Sequence, residues 1–168
     1  MMSPTSGEQT MTSSTFYFDA SALVKRYVAE DGTIWVELLC ADEENHALAI
    51  AHIGLVEVAA AFATKRRGRY ITPAQYERAL SDLIDDAWQR YQLISVDQTM
   101  VDEAIQLTRR RKLRGYEAVH LACALALNKP LVEGGLSSLI FVSADNDLLA
   151  AAEDEGLLTD NPNDHPPK

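Results

Sequence analysis

The sequence predicts an α/β fold in which helices flank a mostly parallel central sheet on both sides, as a three-layer sandwich. Short apolar runs that suit buried strands alternate with longer segments whose apolar residues recur at helical spacing. An acidic residue closes or follows two of the runs, at the position where open parallel sheets place their binding sites. The predicted strands lie at residues 16–19, 46–50, 92–96 and 139–144.

Helical segments connect these strands throughout the chain. The strongest start signal is Thr72-Pro73-Ala74-Gln75, which combines a capping box with proline at the first helical position. Asp97 can cap the helix after the third strand, and residues 116–128 are apolar nearly all round, which predicts a buried helix. The predicted helices lie at residues 21–30, 34–43, 52–68, 73–91, 98–112, 116–128 and 147–155.

Length and composition are those of one globular domain. The 168 residues are 47% apolar and 24% charged, and we expect a tail at residues 1–14, a folded domain at 15–158 and a flexible tail at 159–168. The chain shows neither a secretory signal nor an apolar run of membrane-spanning length. Its two distant cysteines, Cys40 and Cys123, suit reduced, buried thiols, so a cytoplasmic location is expected.

The net charge of −10 argues by itself against a nucleic-acid partner, because the phosphate backbone favours positive charge. An acidic nuclease needs its acids concentrated where cations neutralise them, and its basic residues clustered. Two basic clusters are present, at residues 65–69 and 109–114. Both also lie at predicted helix carboxyl ends, where the helix dipole favours cations regardless of function.

Two acids stand at the carboxyl ends of predicted strands. Asp19 ends the first run, and Asp145 follows the LIFVSA run. A single acid in this position is commonly a helix cap. Two acids at equivalent positions of neighbouring strands repel each other unless a cation lies between them, which favours a shared site.

Two further acids interrupt apolar segments. Glu57 lies in LVEVAAAF, where an unpartnered charge is costly to bury, and Glu117 opens the apolar helix at 116–128. Glu117 in a first helical turn also favours the helix dipole without any other role. Four acids from separate segments suggest one oxygen-rich site for a hard cation such as Mg²⁺ or Mn²⁺.

Four segments together resemble the PIN-domain family, and specifically VapC-type toxins of type II toxin–antitoxin systems. They are FYFDASALVKRYVAEDGT, LVEVAAAFATKRRGRYIT, LRGYEAVHLACAL and FVSADNDLLAAAEDEGL, which span about residues 16–157. The resemblance implies a PIN-like three-layer sandwich and a Mg²⁺- or Mn²⁺-dependent endoribonuclease. It also implies an RNA substrate (tRNA, rRNA or mRNA), a cognate antitoxin protein and a homodimer.

The resemblance also implies site residues. The family's metal-site acids correspond to Asp19, Glu57, Glu117 and Asp145, with Asp147 as an additional acid. Ser21 is expected to hold the first acid or a metal-bound water. Divalent ions at these carboxylates would activate a water for hydrolysis of the RNA backbone.

One position departs from the family pattern. The third segment usually contains RGYDAVHLA, and this chain has RGYEAVHLA, with Glu117 one methylene longer. An alternative hypothesis is therefore a catalytically weak PIN-like binding protein. A third hypothesis is phosphoryl transfer to Asp19, although that chemistry generally needs a second acid at the position of Ser21.

Basic and apolar residues complete the expectations. The residues expected to contact RNA are Lys25, Arg26, Arg66, Arg67 and Arg114. His120, three residues after Glu117, is either a hydrogen-bonded structural residue or a metal ligand or base. Apolar residues of the first two helices offer a surface for an antitoxin peptide: Leu23, Tyr27, Trp35 and Leu39.

Overall fold

The computed structural model describes residues 13–167, in which five parallel strands form one sheet between seven helices. This confirms the predicted α/β sandwich. The strands are β1 (Ser14–Phe18), β2 (His46–Ala51), β3 (Tyr91–Ile94), β4 (Ile140–Val142) and β5 (Leu158–Asp160). The helices are α1 (Ala20–Tyr27), α2 (Thr33–Ala41), α3 (His52–Arg67), α4 (Pro73–Gln89), α5 (Gln98–Arg110), α6 (Gly115–Glu133) and α7 (Asn146–Asp154).

The strand order places β1 at the centre of the sheet. The order is β3-β2-β1-β4-β5, and every pairing is parallel. Connections from β1 to β2 run to one side, and the chain later crosses to β4 on the other side. The carboxyl ends of β1 and β4 therefore border the switch point at which open α/β sheets bind ligands.

Alternation along the strands divides the core into two layers. Phe16 and Phe18 of β1 pack with α1 to α4, whereas Tyr17 between them packs with α5, α6 and α7. Successive side chains of a strand point to opposite faces, so a strand covered on both faces is apolar throughout. Tyr17 and Phe18 are both buried, and the Tyr17 ring stacks on Phe141 of β4 at 5.5 Å between centroids.

Local sequence determines where the helices begin. The capping box predicted at Thr72 is present, because the Thr72 side chain accepts from the Gln75 amide and the Gln75 side chain accepts from the Thr72 amide. Asp97 caps α5 through the Met100 amide at 2.8 Å. Each of these contacts satisfies a backbone amide that the first helical turn leaves without a partner.

The sequence predicts a flexible tail at residues 159–168, and the structure differs from this prediction. Residues 158–160 form β5 at the sheet edge, and the chain continues into a 3₁₀ turn at Pro162–Asp164. Asn161 is buried, and the His165 ring stacks on Trp35 at 4.2 Å between centroids. The strand is three residues long and contains two polar residues, so it lacks the apolar run by which strands are recognised.

Three other expectations concern the chain as a whole. Residues 1–12 of the predicted amino-terminal tail lie outside the described residues. No helix among residues 13–167 combines the length and apolar character needed to cross a membrane. Cys40 and Cys123 are buried and not joined to each other, and burial raises the pKa of the Cys123 thiol to about 11.

The contact between α2 and the carboxyl-terminal segment generates a stability prediction. Gly32 and Gly156 both have positive φ, at 86° and 91°. A Cβ on Gly32 would lie 2.5 Å from the Pro162 carbonyl oxygen, whereas a Cβ on Gly156 would meet open space. Gly156→Ala should lower the free energy of unfolding by about 1–2 kcal/mol through backbone strain alone. Gly32→Ala should cost about 1–3 kcal/mol more, because Pro162 must move. Urea unfolding of the two variants measures the difference, and equal losses would contradict the packing of this segment on α2.

Candidate active site

Asp19 is a buried carboxylate at the carboxyl end of β1, with 6% of its surface exposed. Its Oδ1 accepts from Ser21 Oγ at 2.7 Å and from the Ala22 amide at 3.0 Å, and its Oδ2 accepts from Ser143 Oγ at 2.7 Å. Asp19 is thus the cap of α1 as well as a site acid. Burial raises the pKa of the Asp19 carboxyl above its ordinary value, although the two serine hydroxyls act in the opposite direction.

Ser143 joins the two acids that follow the strands. Its hydroxyl donates to Asp19 and accepts from the Asp145 amide at 3.0 Å. Ser21 makes a second link, because its Oγ accepts from the Ala144 amide at 3.0 Å. The ends of β1 and β4 are therefore held together by two hydroxyls, with Asp19 and Asp145 on the same edge of the sheet.

Glu117, Asp145 and Asp147 line one open cleft of about 630 Å³ at this edge. Asp145 Oδ1 accepts from the Asp147 and Leu148 amides and so caps α7. Glu117 Oε2 accepts from the Arg114 amide at 2.8 Å, so Glu117 satisfies a backbone amide at the start of α6. Lys112 and Arg114 line the same cleft, so cations and carboxylates face one another across it.

Glu57 lies in the second turn of α3 and contacts α6 through a histidine. Its Oε1 lies 2.6 Å from His120 Nε2, and His120 Nδ1 lies 2.8 Å from the Tyr17 hydroxyl. The electrostatic influence of His120 acts to lower the pKa of the Asp19 carboxyl, against the larger effect of burial. His120 is therefore a buried, hydrogen-bonded residue, as the first of the two sequence interpretations has it.

The predicted acids thus share one edge of the sheet, but their oxygens have separate partners. Among the described residues, no three His, Cys, Asp or Glu side chains converge into a preformed metal cage. Glu117 and Asp145 are turned toward helix ends, Glu57 toward His120, and Asp19 toward serines. These contacts use one carboxylate oxygen of Glu57, Glu117 and Asp145, and both oxygens of Asp19.

Two residues expected to contact RNA have internal partners instead. Lys25 is 4% exposed and its Nζ pairs with Glu30 at 3.1 Å. Arg26 Nε pairs with Asp86 at 2.9 Å, where the Tyr27 hydroxyl also donates. These contacts tie α1 to its neighbours, so the structure gives Lys25 and Arg26 a role in packing and not in a free surface.

The other expected RNA contacts divide between two places. Arg66 lies over the Tyr76 ring at 5.0 Å and Arg67 contacts Thr64, both near the end of α3. Nine residues of helix separate Arg66 from Glu57, a distance of roughly 14 Å along the axis. Arg114 alone of the expected cations lines the acidic cleft.

Sequence reasoning missed one residue of the site, Ser143, which is fully buried. Lys112, which lines the cleft beside Arg114, was identified only as a member of the basic cluster at residues 109–114. The position of Ser143, two residues before Asp145 in an apolar strand, was a usable indication because a buried hydroxyl needs a partner. The sequence of the basic cluster does not distinguish Lys112 from the arginines before it. The pairing of Arg110 and Arg111 with Glu155 is evident only in the folded structure.

The apolar surface on the first two helices is formed by other residues than those expected from the sequence. Leu23 is buried in the core, and Tyr27, Trp35 and Leu39 are partly buried against it. The exposed large apolar residues of α2 are Ile34 and Leu38, at 54% and 66%. The helix register turns the predicted residues inward, so Ile34 and Leu38 offer the apolar surface there.

The fold and the acids at its edge define a PIN-domain protein. The VapC20 structure from Mycobacterium tuberculosis, a sarcin–ricin loop cleaving toxin, matches with a TM-score of 0.57 and 14% identity over 85% of this chain and 96% of that chain. VapBC2 from Rickettsia felis, solved with a DNA fragment from its promoter, gives a TM-score of 0.59 and 12% identity over 88% and 98%.

A sequence relative narrows the class to one family. Ribonuclease VapC45 of Mycobacterium tuberculosis is 36% identical over 114 residues, which are 68% of this chain and 77% of the relative. The chain belongs to the VapC family of ribonucleases. No protein-family model matches the sequence.

The bridging hydroxyl at Ser143 generates a second prediction. Ser143→Ala removes a donor to the buried Asp19 carboxylate and an acceptor for the Asp145 amide. The free energy of unfolding should fall by about 1–3 kcal/mol, because buried polar groups lose their partners. Ser95→Ala, whose hydroxyl is exposed near His52, serves as the control and should change it by less than about 0.5 kcal/mol. Similar values for both variants in chemical denaturation would show that Ser143 does not hold the two acids.

Proposed function

We propose that this protein is a divalent-cation-dependent endoribonuclease and the toxin of a VapBC-type pair. The main support is the juxtaposition at the switch point of the sheet. Asp19 and Asp145 follow adjacent strands, and Glu117 and Asp147 line the same cleft as Asp145. Family membership supplies the activity class, and the cleft supplies a place for a phosphodiester beside carboxylates.

The donor set fits Mg²⁺ or Mn²⁺ in its chemistry. All candidate ligands are carboxylate oxygens, which hard cations prefer, and Asp19 is buried at a cost that a neighbouring cation would offset. Asp19, Glu57, Glu117 and Asp145 would hold the ion, with Asp147 at the rim. When bound, the ion supplies Lewis-acid activation of a water and neutralises charge on the phosphate oxygens.

The chain's own residues would prepare the substrate and fix the acids. Lys112 and Arg114 line the same cleft as Glu117, Asp145 and Asp147, and would contact backbone phosphates and place the scissile bond beside these carboxylates. Ser21 and Ser143 hold the Asp19 carboxylate in one rotamer, so less reorganisation is needed when substrate arrives. The attacking oxygen comes from water, so no covalent enzyme intermediate is formed.

The same proposal explains how a ribonuclease with a net negative charge would bind RNA. The net charge of −10 opposes RNA over most of the surface, so binding would depend on the cleft, where a cation, Lys112 and Arg114 counter the acids. We expect few phosphate contacts and a correspondingly shallow dependence of RNA affinity on salt. The proposed substrate is an RNA: tRNA, rRNA or mRNA.

An antitoxin and a second copy of the chain are the proposed protein partners. Large apolar side chains are exposed on two helices, with Ile34 and Leu38 on α2 and Ile84 and Trp88 on α4. Trp88 is 75% exposed, which is unusual for tryptophan in a monomer without partners. Coverage by the antitoxin and by a homodimer would remove this surface from water.

Cleavage by purified protein tests the activity directly. With Mg²⁺ or Mn²⁺, the protein should cleave RNA in a pool of tRNA and rRNA, and EDTA should abolish the cleavage. Asp19→Asn should lower the rate by about 100-fold or more, because it removes the anionic ligand at the centre of the site. Gel analysis of the 5′ ends locates the cut.

The matched control is Asp86→Asn, which alters a partly buried acid paired with Arg26 on the other layer of the fold. Its cleavage rate per folded molecule should equal that of the parent. Cleavage that persists in EDTA or in Asp19→Asn would count against this site and its chemistry. Circular dichroism of each variant confirms that comparisons are made between folded proteins.

One observation favours a second candidate function, a catalytically weak binding protein of the same fold. Glu117 Oε2 is engaged by the Arg114 amide at the start of α6. That contact occupies one of the two carboxylate oxygens that ligation of a cation would use. Such a protein would bind Mn²⁺ and RNA while cleaving at a negligible rate.

Substitution at Glu117 separates the two candidates. Glu117→Asp shortens the side chain, so its carboxylate leaves the capping contact, and cleavage should rise by about 10–100-fold if ligand position limits the rate. Glu117→Gln keeps a capping group without the charge, and should lower cleavage at unchanged stability. Single-turnover rates on one RNA oligonucleotide measure both. Equal rates in the parent and both variants would show that Glu117 takes no part in catalysis.

A further inference from the structure

A buried chain of hydrogen bonds leads from the backbone of β2 to Glu57. The Ala51 amide donates to the Tyr17 hydroxyl at 3.3 Å, which lies 2.8 Å from His120 Nδ1, and His120 Nε2 lies 2.6 Å from Glu57 Oε1. Tyr17 and His120 are 0% and 2% exposed, whereas the Glu57 side chain is 28% exposed. The chain therefore begins in the core and ends at the solvent-facing edge of the site.

The Glu57 carboxylate can only accept, so His120 Nε2 carries the hydrogen of this bond. In the tautomer with its single hydrogen on Nε2, Nδ1 accepts from the Tyr17 hydroxyl, whose oxygen accepts from the Ala51 amide. Every polar atom along the path is satisfied, as buried networks require. Both imidazole nitrogens are engaged, so His120 is not available as a base or a ligand.

The surrounding packing is built to hold the imidazole. Gly54, one turn before Glu57, leaves the space, since a Cβ there would lie 3.0 Å from His120 Cε1 and 2.7 Å from the Ile50 side chain. The Tyr17 ring is itself fixed by stacking on Phe141 and meets the His120 ring edge-on at 5.9 Å. Neither ring can rotate without opening a cavity in a close-packed core.

The network also couples three of the segments that carry the acids, namely β1, α3 and α6. Tyr17 lies two residues before Asp19 on β1, and His120 lies one turn after Glu117 on α6. A glutamate that is partly exposed on a helix surface samples several rotamers, and fixing it costs conformational entropy. A buried donor removes that freedom before a cation arrives.

We propose that His120 is a positioning residue that holds the Glu57 carboxylate in its working orientation, and that Tyr17 fixes the imidazole for this purpose. This inference rests on the proposed function, in which Glu57 is a ligand of the divalent ion. Hydrogen-bonded groups behind metal ligands typically change metal affinity by about 10–100-fold when removed.

Mn²⁺ affinity of the RNA-free protein, measured by isothermal titration calorimetry, tests the proposal. His120→Leu, which removes the donor, should raise the Kd by about 10–100-fold, and Tyr17→Phe should raise it by about 3–10-fold. His120→Gln can still offer an amide hydrogen to Glu57 and should stay within about threefold of the parent. The control is His46→Leu, which should leave the Kd unchanged. His46 is the first residue of β2, whereas Ala51, which belongs to the network, is the last.

Thermal unfolding without metal shows which variants fold, and if His120→Leu does not, the other two variants carry the test. Parental affinity in Tyr17→Phe and in every folded His120 variant would overturn the positioning role. Equal losses in His120→Gln and His120→Leu, with parental affinity in Tyr17→Phe, would also overturn it. A parent that cleaves RNA in EDTA and binds no Mn²⁺ would instead refute the proposed function, and this inference with it.

Discussion

The burial of the Asp19 carboxylate is the constraint on which the rest of the site depends. A charge placed at the end of a central strand, with 6% exposure, loses most of its hydration and must be compensated locally. The compensation comes from the Ala22 amide and from the hydroxyls of Ser21 and Ser143. Because Ser143 also accepts from the Asp145 amide, the group that stabilises the first acid fixes the backbone of another.

Other candidate site acids along this edge of the sheet also stabilise the amino ends of helices. Asp19, Glu117 and Asp145 each accept backbone amides at the start of a helix. In the absence of a cation, those amides and the positive end of the helix dipole stabilise carboxylates that would otherwise repel one another. The acids can therefore lie together at one edge of the sheet. In the proposed metal site, the capping contacts would compete with a cation for Asp19 Oδ1, Glu117 Oε2 and Asp145 Oδ1.

Much of this organisation could be predicted from local sequence. The capping box at Thr72, the acids after β1 and β4, and the alternation of strands and helices are encoded within a few residues. Long-range partners could not be predicted in this way. Tyr17 and His120 are 103 residues apart in the sequence. Lys25 is of a residue type usually found at the surface, and its burial follows only from the pairing with Glu30 and the packing of α1. β5 escaped prediction because its edge position demands little apolar sequence.

The balance between capping and ligation bears most directly on Glu117. At the third position of a helix, glutamate reaches back to the helix-capping residue, and its extra methylene makes that contact with the Arg114 amide at 2.8 Å. An aspartate at the same position has a shorter reach and would leave its carboxylate over the cleft. The longer acid therefore stabilises the start of α6 through Oε2, and the same helix carries His120, which contacts Glu57. In the proposed metal site, α6 would order Glu57 through His120, while the Arg114 amide would favour the stability of the helix over ligation by Glu117.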